Sequence, residues 1–299
     1  MSKRCIVTFL AVAFAFSYTA WIVAMLLPSG RSTELFSALS FLAMLGPLLG
    51  TVTVKRLGWR KEGLRDPIPR SQRLRSGLVG ILLLMVILWA VQFFLWILLS
   101  TWVTGNEFRV TWAVLGQMLF RSFLLPLFWI LSVFLEEYGW RYFLFSEAKK
   151  MGPWAASWGV GFVWAIWHVP AAFLLGRSNA WAMILGYLIY VPVLHQYIAY
   201  FYEKSTTLIV PVILHAVFNG FGTAQYLTTR IQGSLGEMTQ EQILALSRPD
   251  LMTRGEVLVT LGVNLATFVL LLPFSVLLQR EISRAMEARR DKGAASVRA

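Results

Sequence analysis

The stretch 134–142, FLEEYGWRY, sets two carboxylates and a guanidinium directly after an apolar run. In that run, Phe123 to Leu135, Ser132 is the only strongly polar residue. Ionisable side chains inside an apolar segment are costly and point to function by default. The three histidines of the chain, His168, His195 and His215, also fall in apolar segments. Asn219 follows His215 by four residues and Trp164 precedes His168 by four, so each pair shares one face of a helix. Glu137 and Arg141 have the same spacing, which suits an ion pair that lowers the cost of burying either charge.

A glutamate, two histidines and an asparagine brought to one depth form a set suited to hydrolysis. A carboxylate takes a proton from water and a histidine orients that water. A second histidine and an amide donate hydrogen bonds to a developing oxyanion. Glu136, His168 and His215 would equally serve as ligands to one divalent metal such as zinc. The chain has no HExxH sequence, so the signature of soluble metalloproteases is missing. Two other readings stay open on spacing alone: a non-enzymatic membrane scaffold of the immunity or partner-binding kind, and a proton-coupled transporter using the same Glu and His groups. His195 follows Pro192 and neighbours Gln196 and Tyr197, near the end of its segment, and reads as structural. Arg121 and Gln92 read as snorkelling or helix-contact residues.

The elements that must carry these groups are membrane helices. Of the 299 residues, 57% are hydrophobic and 14% charged, against about 25% charged in a soluble domain. Apolar stretches of about 20 residues recur, the length that crosses roughly 30 Å of hydrocarbon. The fold class expected is all-α, a polytopic membrane protein with about eight transmembrane helices. The spans fall near 5–27, 35–54, 77–103, 120–148, 154–175, 181–202, 206–226 and 256–279. They form one membrane domain over 1–299, with the motif-bearing core at 120–226, a basic loop at 55–76, an outer loop at 227–255 and a tail at 280–299. The first span is too long for a signal peptide and reads as uncleaved. Thr239 with Gln242 marks a short helix start in the outer loop. The single cysteine, Cys5, forms no internal disulfide.

The Gly152–Pro153 pair should break the chain between two of these spans. Glu136 lies 16 residues before Gly152 and His168 lies 16 after it. In an antiparallel hairpin these equal offsets place both groups about 24 Å from the turn, at 1.5 Å per residue. The fourth span therefore runs on through the glutamates instead of stopping at them. Trp164 and Trp167 sit too deep for the interfacial belt and are expected to wall the polar site.

Glu136-Glu137-x-x-x-Arg141, then Trp164-x-x-x-His168 on the next span, then His215-x-x-x-Asn219 two spans later, closely resembles the CPBP family. That family comprises CAAX prenyl endopeptidases and bacteriocin-processing or immunity proteins, also called the abortive-infection family. The resemblance covers about residues 120–225 and implies an eight-helix intramembrane protease with a four-helix catalytic core that opens toward the cytosol. It makes Glu136 the general base, His168 its water-activating partner, Glu137 and Arg141 supports of the site, and His215 and Asn219 the oxyanion stabilisers. The substrate it implies is a peptide or protein, prenylated in the CAAX case. One departure stands out: the second motif of the family usually reads FxxxH, whereas here Trp164 takes the place of Phe and Phe162 is two positions off.

The net charge of +12 suggests nucleic acid, but its distribution does not. Basic residues gather on alternate loops, 20 on the side bearing both termini and 7 on the other. Cytoplasmic loops carry such an excess, so both termini are expected in the cytosol, with membrane lipids as partners, no nucleic acid, and a bacterial inner membrane as the setting. A fluorescent protein fused after Ala299 should glow in a bacterial host, and alkaline phosphatase at the same point should be inactive. The reverse pattern would invert this topology.

Overall fold

The computed structural model describes residues 2–26, 38–39, 41–58, 71–104, 112–176, 179–205, 207–231 and 254–298. The expected helix start at Thr239 and Gln242, most of the outer loop, and the basic stretch 59–70 lie outside the described residues. A chain in lipid has to satisfy its backbone hydrogen bonds within itself, and among the described residues the secondary structure is helical throughout, with no strand.

Helix α1 covers Ser2–Leu26 and α2 covers Leu45–Arg56. Helix α3 spans 71–104 and contains a π-helical segment, Trp89–Leu95. Helix α4 is α-helical from Trp112 to Glu137. It continues through the π-helical segment Tyr138–Phe145 and closes as Ser146–Ala148. The helix does run on past the glutamates, as the hairpin argument requires. A 3-10 turn, Lys149–Met151, then leads to Gly152 at φ 126°, where the chain reverses. Helix α5 opens with a π-helical turn, Ala155–Gly159, and proceeds as Val160–Trp167. The remaining helices are α6, Val169–Gly176; α7, Ala180–Ser205; α8, Ile209–Ile231; α9, Arg254–Leu271; and α10, Pro273–Arg298.

Among the described residues, five segments are long and apolar enough to cross a membrane: Lys3–Leu26, Gly77–Val103, Ala155–Leu174, Ala180–Ser205 and Val257–Glu287. Large apolar side chains such as Leu82, Val86, Leu98 and Leu258 point outward, as lipid-facing residues do. This is an integral membrane protein of the all-α class. Arg141, one of the 20 basic residues assigned by sequence to the side of the termini, is wholly buried. It leaves the orientation count, which becomes 19 against 7.

Three contacts fix the stretch that bears the glutamates. Helix α8 packs along α4. Helix α2 crosses the π-helical segment, where a Cβ on Gly139 would overlap Pro47 Cβ and lie 2.7 Å from the Pro47 carbonyl carbon and oxygen. Lys55, at the end of α2, donates to the Tyr138 hydroxyl at 2.7 Å and sits 5.1 and 4.8 Å from the ring centres of Tyr138 and Tyr142. Beyond the stretch, Lys149 donates to Glu203, tying the turn at Gly152 to the end of α7. Since the atoms facing Gly139 are largely backbone, they cannot step aside as a flexible side chain would. Gly139→Ala should therefore lower stability by about 1–3 kcal/mol, the usual cost of overpacking. Thermal unfolding in detergent checks this, and an unchanged midpoint would refute the close approach.

Candidate active site

Glu136 and Glu137 are neighbours in sequence, so their side chains leave α4 about 100° apart and reach different helices. Glu136, 2% exposed, meets α5: the indole Nε1–H of Trp164 donates to its Oε2 at 3.1 Å. Its Oε1 makes no hydrogen bond among the described residues. Glu137, fully buried, meets α8 and its own helix. Its Oε1 accepts from Arg141 Nη1 at 2.8 Å and pairs with His215 Nδ1 at 2.7 Å.

Arg141 is as deeply buried as its partner. Its Nε and Nη2 find no hydrogen-bond acceptor among the described residues. The guanidinium instead lies over the Trp164 ring, 4.0 Å from the centroid. A cation over the face of a tryptophan is attracted by the negative face of the ring system, most strongly where water is excluded. The edge of His215 closes on the same indole, with ring centres 4.9 Å apart at 81°.

His168 ends α5. Its Nδ1 lies 2.8 Å from the Trp164 carbonyl oxygen. A carbonyl only accepts, so Nδ1 carries the proton and the neutral ring keeps its lone pair on Nε2. Trp164 and Trp167 lie against the ring at 5.7 and 5.0 Å, and Tyr187 of α7 covers it at 4.8 Å. Tyr187 in turn meets Tyr190, which meets Phe218 of α8. Asn219 stands one turn beyond His215 on α8 and is half-buried.

The structure thus brings Glu136, Glu137, Arg141, His168 and His215 around one indole. His195 is not among them. Its Nε2 donates to the Ala156 carbonyl at 2.9 Å and its ring packs on Phe145, fastening α7 to the start of α5. The residue whose role sequence reading misses is Trp164. Its depth marks it as a wall of the site, and it is also a hydrogen-bond donor to Glu136. Its substitution for Phe is the available signal, because indole has an N–H and phenyl has none. Tyr187 is missed as well, although it belongs to an aromatic series with Tyr190 on α7.

Among the described residues, no group of three or more His, Cys, Asp or Glu side chains converges in a way that could hold an ion. The two site histidines commit Nδ1 to a carbonyl and to Glu137. These bonds occupy one nitrogen of each ring, and no step below passes through a metal.

The family model described as type II CAAX prenyl endopeptidase Rce1-like matches residues 118–221. The match covers the stretch that carries the glutamates, His168 and His215. All six candidate residues, from Glu136 to Asn219, fall within the match. It agrees with the CPBP resemblance of the motifs and supports an intramembrane endopeptidase of the CAAX type. No curated protein matches the chain.

Removing the cation from this centre would leave Glu137 as a buried charge held by His215 alone. Arg141→Met should cost about 3–5 kcal/mol, the range for breaking a buried pair by removing one partner. Combining it with Glu137→Gln should cost less than the sum of the two single changes, because the orphaned charge is then gone. Chemical denaturation of the four proteins checks this. Additive losses would mean that the pair is not coupled.

Proposed function

We propose that the Rce1-like core hydrolyses a peptide bond within the membrane, with Glu136 as general base and no covalent enzyme intermediate. The observation that carries this reading is the division between the two glutamates. Glu137 is committed to Arg141 and His215, whereas Glu136 meets a single neutral donor among the described residues.

Glu136 Oε1 takes a proton from a water molecule as a lone pair on the water oxygen attacks the scissile carbonyl carbon. His168, with Nδ1–H fixed on the Trp164 carbonyl, offers Nε2 as acceptor to the second water proton and so aims the nucleophile. The carbonyl π pair moves onto oxygen, and His215 Nε2–H and the Asn219 amide donate to the oxyanion. For His215 to donate from Nε2 while Nδ1–H faces Glu137, both nitrogens must carry protons. Glu137, bonded at Nδ1, is the counter-charge that such an imidazolium requires. When the intermediate collapses, Glu136 returns its proton to the leaving amine and the C–N bond breaks.

The substrate follows from the family: a protein or peptide ending in Cys-aliphatic-aliphatic-X, with a prenylated cysteine that the lipid phase delivers to the site. Both termini and the entrance of the site lie on the cytosolic side in this reading.

The test is cleavage of an internally quenched, farnesylated Cys-aliphatic-aliphatic-X peptide by purified protein in lipid nanodiscs. Glu136→Gln and His168→Asn should each reduce the rate by about 10²–10⁴, the range for losing a positioned proton-transfer group. Full activity in either variant would refute the assignment. One zinc per chain, lost together with activity in His168→Asn, would overturn the proton role and make His168 a ligand.

A further inference from the structure

Trp164 contacts four of the six candidate residues. Its N–H bonds Glu136, its face carries Arg141, its ring meets His215 and its carbonyl holds His168. We propose that Trp164 is the positioning residue for Glu136, and that the N–H that distinguishes it from phenylalanine is what this centre uses. The proposal rests on the reading of Glu136 as base and explains how that base is aimed.

A carboxylate free to rotate presents its two oxygens to water at random. Fixing Oε2 on a rigid donor leaves Oε1 as the defined proton acceptor. The donor has to be rigid, and Trp164 is: it is 1% exposed and wedged between the guanidinium at 4.0 Å and the imidazole at 4.9 Å. The donor has also to be uncharged. A guanidinium on Glu136 would hold it just as firmly and make it a poorer base, which is the state in which Arg141 holds Glu137. Indole N–H donates only and never gives up its proton in this pH range. It therefore orients the carboxylate without competing for the proton that the reaction moves. Phenylalanine at this position would preserve an aromatic face for Arg141 and lose the bond to Glu136.

Two measurements on the full-length protein in nanodiscs decide the matter. In the first, tryptophan is labelled with ¹⁵N and the Trp164 indole resonance is assigned by its disappearance in Trp164→Phe. A hydrogen-bonded indole proton resonates downfield, so Glu136→Ala should move this peak upfield, and an unmoved peak would overturn the proposal. In the second, Trp164→Phe is assayed on the farnesylated peptide. The expected result is a fall in kcat of about ten- to a hundredfold, the range for losing a hydrogen bond to a charged group. KM should stay within about twofold, since the bond acts on the base and not on substrate binding. The thermal midpoint should change little, because the aromatic packing is preserved. An unchanged kcat would reduce Trp164 to packing, and a rise in KM with kcat retained would make it a substrate contact. If Trp164→Phe unfolds, the indole resonance in Glu136→Ala still decides. If wild-type protein cleaves nothing, the hydrolase reading fails, and the indole shift alone then decides whether Trp164 holds Glu136.

Discussion

Glu137 and Arg141 are both completely buried, one helical turn apart in an apolar bundle. Removing each such ion from water costs several kcal/mol, and one ion pair seldom recovers that in full. The architecture around them reads as the means of recovering it. Helix α8 brings His215 to the same oxygen that Arg141 holds, and α5 brings an indole face to cover the guanidinium atoms that have no acceptor among the described residues. Neither contact exists unless α4, α5 and α8 meet at one level. The charges therefore act as a constraint on helix register as much as a site of chemistry. A slip of one turn between any two helices would strand a charge without its partner.

The same constraint separates two residues of identical type. What distinguishes Glu136 from Glu137 is the donor each one meets. Glu137 has a cation within 2.8 Å and an imidazole on the same oxygen, and a carboxylate so engaged has little left to offer a water molecule. Glu136 has one neutral N–H at 3.1 Å. Its proximity to the charged cluster keeps it in a polar setting, while the cations point elsewhere. A base in lipid needs this balance. Too little polarity leaves it protonated, and a direct ion pair takes up the lone pair it would use.

Much of this is legible from residue spacing. Apolar run lengths locate the helices, Gly152 locates the reversal, and four-residue spacing identifies Glu137 with Arg141. What spacing does not reveal is lateral. Equal offsets about the turn point to Glu136 opposite His168, and the residue that reaches Glu136 is Trp164, one turn nearer the loop. Offsets count residues along a regular helix, whereas the arms of this hairpin contain π-helical segments, Tyr138–Phe145 and Ala155–Gly159. These change both rise and rotation. The choice of partner also depends on which face of α5 looks at α4, and an almost wholly apolar helix carries no polar stripe to declare it. Trp164 is for that reason visible as an aromatic at depth but not as a donor. His195 shows the opposite case. Its wet-end position and polar neighbours mark it as structural, and it is fixed on the Ala156 carbonyl apart from the other two histidines.

The adjacency of the two glutamates follows from the same geometry. Had they been spaced by four residues, both would lie on one face of α4. They would repel one another and compete for the same neighbour helix. Adjacent positions diverge by about 100°, so each carboxylate enters a separate helix interface while their backbones share one level in the membrane. One interface, α4 with α8, is then free to be a structural ion network. The other, α4 with α5, is free to hold the carboxylate proposed as base. Arg141 joins the two, because its end bonds Glu137 while its face rests on the tryptophan that holds Glu136. The Glu-Glu-x-x-x-Arg pattern is in this sense a single device. It places a clamp and the proposed base on neighbouring helix faces and lets one cation support both, directly at Glu137 and through an uncharged ring at Glu136.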